Sequence, residues 1–134
     1  MRVKIKVPVE RTQGEIRKTL EKYGATGFMF GQGNGHAMVI FEMKSRRVKF
    51  ILPLPKANDK KGQQLERARW RCLLLAIKAK LECVTSGIST FENEFMAMIV
   101  MPDGKTVSET ITPHIANAYS TGRMVPLLGP GVGS

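Results

Sequence analysis

Apolar positions between Gln63 and Ser86 recur in steps of three and four, the spacing of a helix face. Trp70, Leu73, Leu74, Ile77, Leu81 and Val84 form one stripe, and Leu65, Ala68, Cys72, Leu75, Ala79 and Cys83 a second about half a turn away. Arg67, Arg71, Lys78 and Glu82 fill one flank between them, and Arg69 and Lys80 the other. No Gly or Pro interrupts the segment, and Gly87 stands where a C-cap belongs. A helix apolar on two faces is normally covered on both. The pattern predicts a sheet on the Trp70 side and another helix, or another subunit, on the Cys72 side.

The remaining periodicities are shorter. Arg2 to Val7 alternates, with Val3, Ile5 and Val7 opposite Arg2, Lys4 and Lys6, as in a half-buried strand. Pro8 ends it, and Thr12-Gln13-Gly14-Glu15 has the capping-box form, predicting a helix with Ile16, Leu20 and Tyr23 inward, stopped at Gly24. Its face with Arg17, Lys18, Glu21 and Lys22 reads as solvated. Three strands follow: Thr26 to Gly31, a hairpin tip over Gly31 to Gly35, His36 to Met43 as a central strand, and Arg46 to Leu54. Ser89-Thr90-Phe91-Glu92 opens a short helix with Phe91 and Phe95 inward, and Thr112-Pro113 opens a last one, closed by Gly122.

This order predicts an α+β fold. An antiparallel sheet of about four strands (strand-helix-strand-strand-strand) packs on one long helix, with short C-terminal helices and an apolar tail. Residues 1–123 form a single domain and 124–134 the tail.

Composition narrows the function classes. Of 134 residues, 43% are hydrophobic and 24% charged, as in a globular domain. No apolar run approaches the ~20 residues of a transmembrane helix, so no membrane role is expected. The N-terminal MRVKIKVPV is too short and too alternating for a signal peptide, which predicts a cytoplasmic protein. Twenty-one Lys and Arg against eleven Asp and Glu give a net charge of +10, typical of small nucleic-acid or anionic-surface binders. Cys72 and Cys83 lie about 16 Å apart along the helix, too far for a disulfide. With only His36 and His114 besides, no zinc spacing arises, and both thiols read as packing.

The basic positions are the strongest functional signal. Arg2, Lys4 and Lys6 on one strand and Arg47 and Lys49 on another fall on the face away from the core, with Arg46 beside them; Arg67 and Arg71 on the long helix form a second candidate. Lys and Arg rows of this kind neutralise phosphates, although outward strand positions are commonly polar for solubility as well. Gly31 to Gly35 matches neither nucleotide-binding glycine motif and reads as turn glycines. Phe28, Phe30 and Phe41 read as core rather than a base-stacking platform. His36 and His114 lack a partner, and Glu92 and Glu94 fall on different helix faces, so neither an enzyme nor a cofactor is expected.

The segments YGATGFMFG (23–31), RWRCLLLAIKAKLECVTSGISTFENEF (69–95), MPDGKT (101–106) and AYSTGRMVPLLGPG (118–131) together resemble small basic proteins of tailed bacteriophages. The resemblance covers most of the chain and implies phage origin and residence in the host cytoplasm, without an activity. The element order is also similar to that of phage single-strand annealing proteins. The expected function is a non-catalytic phage protein that binds nucleic acid, DNA more than RNA, in replication, recombination or packaging. The alternative is a protein-binding module, either a host-targeting inhibitor or a subunit of a phage assembly. A homo-oligomer formed through the Leu65/Ala68/Cys72/Leu75/Ala79 helix face is also expected.

Overall fold

A computed structural model describes residues 7–56 and 59–124. The order is α1 (Val9–Lys22), β1 (Thr26–Gly33), β2 (His36–Met43), β3 (Arg46–Pro53), α2 (Lys60–Thr85), α3 (Phe91–Phe95), a single 3-10 turn (Met96–Met98) and α4 (Val107–Thr121). The described chain is α+β, with a three-stranded antiparallel sheet in the order β1-β2-β3. Of the strand expected over Arg2 to Val7, residues 2–6 lie outside the described residues, as does the tail from 125 onward, and Val7 is a bend.

Both hairpins are two-residue turns with positive φ at each position, the geometry that matches the twist of paired strands. Asn34 (φ 52) and Gly35 (φ 75) join β1 to β2, and Lys44 (φ 54) and Ser45 (φ 61) join β2 to β3. Leu54 N–H donates to the Gly35 carbonyl at 2.8 Å, so the first turn lies beside the exit of β3. β2 is central, as its two-sided apolar pattern predicts. Its Ala37, Val39, Phe41 and Met43 are buried with Val48 and Phe50 of β3.

Helix α1 begins earlier than the sequence suggests. Pro8 occupies the cap position at φ −59 and ψ 148, and Thr12 N–H already donates to the Pro8 carbonyl at 3.3 Å. Starting at Val9 places Thr12, Ile16 and Leu20 on one buried stripe, so Thr12 is a core residue and not a cap. Helix α2 is longer than its apolar periodicity, because Asp59 accepts from Gly62 N–H at 2.8 Å and starts the helix at Lys60. Thr90 caps α3 through Asn93 N–H at 3.1 Å. Thr112 caps nothing. Thr106 is the N-cap of α4, accepting from Glu109 N–H and donating to Glu109 Oε1, both at 3.2 Å. Pro113 therefore lies inside α4, where it removes the bond to the carbonyl four residues before it.

Trp70, Leu73, Leu74, Ile77 and Leu81 are all buried, so the first stripe of α2 meets the core. Trp70 packs on Phe30, and Phe41, Phe50, Phe91 and Phe95 form a connected aromatic set with centroids 5.0–6.3 Å apart. Trp70 Nε1 is buried without a partner among the described residues. Among the described residues the second stripe finds little cover: Leu65, Cys72, Leu75 and Ala79 are exposed, and Ala68 and Cys83 are half-buried. Both α1 and α3 lie beside α2, and the three share one apolar core with the sheet.

Candidate nucleic-acid interface

Among the described residues, Arg47 and Lys49 lie on the outer face of the sheet beside apolar and acidic neighbours. Pairing aligns Met29 with Ile40 and Ile40 with Lys49, then Gly31 with Met38 and Met38 with Ile51. Arg47 lies opposite Glu42 and pairs with it at 3.4 Å. Arg46 points to the other face, where Glu92 of α3 takes it at 3.0 Å. Lys49 has no ion pair among the described residues but is bordered by Ile40 and Ile51. Arg2, Lys4 and Lys6 lie outside the described residues.

A denser set of cations forms on the helical side. In α1, Arg11, Glu15, Lys18 and Lys22 follow the spacing i, i+4, i+7, i+11, which places them on one flank. In α2, Lys60, Gln64, Arg67 and Arg71 repeat the same spacing, continued by Lys78 and Glu82. Arg71 Nη1 donates to Glu15 Oε1 at 2.9 Å with both side chains about one-third exposed, which ties the two flanks together. Pro8, Val9 and Glu10 line one cleft with Gln63, Glu66 and Arg67, while Arg11, Gly14, Glu15 and Lys18 line the next with Arg71. The two helices therefore run in the same direction. Equal rise per residue sets Arg11 about level with Arg67 and Lys22 with Lys78.

The resulting groove carries Arg11, Lys18, Lys22, Lys60, Arg67, Arg71 and Lys78 against Glu10, Glu15, Glu66 and Glu82. Arg11, Lys18, Lys22, Lys60 and Lys78 take part in no ion pair among the described residues. Arg67 Nη2 donates to Gln64 at 3.2 Å. From Lys60 to Lys78 the row spans about 27 Å at 1.5 Å per residue. That matches roughly eight nucleotides of one strand at 3.4 Å each.

The structure thus separates the expected basic residues. Arg67 and Arg71 lie in the groove, Arg47 and Lys49 on the outer sheet face, and Arg46 against α3. Arg69 and Lys80, on the opposite flank of α2, serve the fold by donating to the carbonyls of Pro53 at 2.8 Å and Glu94 at 2.9 Å. Arg11, Lys18, Lys22, Lys60 and Lys78 escape a reading of each helix alone, although the matching 11/15/18/22 and 60/64/67/71 spacings are visible in the chain.

Other chemistry finds little purchase. His36 Nδ1 bonds the Asn34 carbonyl at 2.9 Å within its own turn. Phe28 stacks on Phe41 on the core side of the sheet, with centroids 6.3 Å apart. Among the described residues no three His, Cys, Asp or Glu side chains gather to hold a metal ion, and no helix is long and apolar enough to cross a membrane. No family model matches the chain, and neither a curated protein nor a solved structure does.

Proposed function

We propose that this chain is a non-catalytic nucleic-acid binder that holds the phosphate backbone along the groove between α1 and α2. The observation that carries this reading is the row of seven Lys and Arg among four acids, five of the seven without an ion pair among the described residues. Cations held on two rigid helices keep their spacing while giving up condensed counterions on the ligand. Lys49, with Arg2, Lys4 and Lys6, is a second contact region of the same reading. The resemblance to tailed-phage proteins supplies the setting: DNA before RNA, in replication, recombination or packaging, in the host cytoplasm. The groove offers phosphate contacts and no base-reading element, so affinity is expected to depend on salt more than on sequence.

Fluorescence anisotropy with labelled DNA and RNA over a salt series tests this. Lys18→Glu with Lys78→Glu should weaken binding strongly, and each lost phosphate contact should flatten the log–log salt slope by about 0.9 on duplex DNA. Binding that is absent at low salt, or unchanged by this pair while Lys49→Glu abolishes it, overturns the groove as the site.

A second reading, a protein-binding module in a phage assembly or against a host protein, is favoured by the exposed apolar residues of α4. Capture of one defined protein that survives nuclease treatment is its signature.

A further inference from the structure

Among the described residues, two apolar helix faces lie open. On α2 the stripe through Leu65, Cys72, Leu75 and Ala79 is exposed, Leu75 to 57%. On α4 no residue is buried, and Ile115 and Tyr119, one turn apart, are 52% and 89% exposed. α4 rests on the 3-10 turn (Met96–Met98) through its Val107, Thr110, Ile111, His114 and Ala118 side, each half-buried, which leaves the Ile115–Tyr119 side outward.

Charge decides which surface suits which. The α2 stripe runs between Arg71, Lys78 and Glu82 on one flank and Arg69 and Lys80 on the other, a border of net positive charge. Two such stripes packed on each other would bring four cationic rows together, which like-charge repulsion disfavours. From Val107 to Thr121, α4 carries one formally charged side chain, Glu109, and no Lys or Arg. An apolar, slightly acidic helix is the cover that a stripe between cationic rows accepts. The lengths agree: fifteen residues of α4 span about 22 Å, and Leu65 to Cys83 about 27 Å. A 15-residue helix with an interior proline is also marginal without tertiary support.

We propose that the chain forms a two-fold dimer in which α4 of each copy lies on the Leu65–Leu75–Ala79 face of α2 of the other. A closed two-fold arrangement makes this contact twice, so both open faces of both copies are covered at once. This replaces direct pairing of the α2 stripes and is independent of nucleic-acid binding, since the basic groove lies on a neighbouring flank.

The test is the molar mass of the full chain in solution, by sedimentation equilibrium, with two charge insertions at exposed sites. The unmodified chain should sediment at twice 14.9 kDa. Leu75→Glu and Tyr119→Glu should each give folded monomers with unchanged far-ultraviolet circular dichroism. Mixed together they should recover a dimer, because the pair keeps one of its two contacts intact. A strictly monomeric parent, a Tyr119→Glu variant that stays dimeric, a Leu75→Glu variant that unfolds, or a mixture that remains monomeric overturns the proposal.

Discussion

Helices α1 and α4 are nearly equal in length, 14 and 15 residues, yet the molecule uses them in opposite ways. α1 is rich in charge and buries Thr12, Ile16 and Leu20 against the sheet and α2. α4 carries few charges and buries nothing. Apolar content therefore does not measure core membership. α1 enters from Pro8 and returns through Ala25 into β1, so its stripe is pressed onto the sheet at both ends. α4 leaves from the edge of β3, where Val107 N–H donates to Ile99, and after Gly122 no described element follows to fold it back.

The same substitution in the two helices tests this contrast. Ile16→Ala should lose about 2–5 kcal/mol of unfolding free energy, a large-to-small change in a filled core. Urea denaturation at low protein concentration measures it. A loss well below this range would mean that α1 is peripheral. Thr106→Ala should cost about 0.5–2 kcal/mol by removing the cap of α4. Hydrogen exchange should then show faster α4 amides and unchanged α1 amides, whereas slowing or acceleration shared by both would mean one cooperative unit. Arg71→Ala breaks the α1–α2 ion pair and should cost up to about 1 kcal/mol, shrinking in high salt. A loss that persists in salt would show that packing of the arginine stem dominates. Ile115→Ala should stay within about 0.5 kcal/mol under conditions where the chain is monomeric. If it matched Ile16→Ala, the contrast between the helices would fail.

Much of the fold is legible in the chain because periodicity reports burial directly. The Trp70 stripe, the two hairpins and the central place of β2 all follow from it. Helix starts are less legible. Thr12–Glu15 and Thr106–Glu109 both have the capping-box form, but only the second acts as a cap, because Pro8 has already begun the first helix. The 3-10 turn and the position of α4 depend on packing at the edge of β3 and leave no periodic trace. The candidate site divides in the same manner. Strand alternation correctly puts Arg47 and Lys49 on the outer face, but not Glu42 opposite Arg47, and nothing local brings Glu92 to Arg46 from 46 positions away. The groove is a property of two helices together. Each basic row is legible in one helix, and the Arg71–Glu15 bond and the shared cleft linings reveal that they face each other.

The shared direction of α1 and α2 has an electrostatic consequence of its own. Two helices packed head to head add their macrodipoles instead of cancelling them, leaving about half an elementary charge each at the same end. That end carries Lys56, Lys60 and Lys61 together with Glu10 and Asp59, and the opposite end carries Lys18, Lys22 and Lys78. The aligned helix dipoles thus add a direction to a groove that is positive along its length, and an external field exerts a torque on the molecule as well as a pull. A polyanion at a distance would begin to turn the protein toward its positive groove before touching it. The expected kinetic signature is an association rate that falls steeply with ionic strength while the dissociation rate changes less, readable by stopped-flow measurements. Equal sensitivity of the two rates would show that orientation is set only after contact.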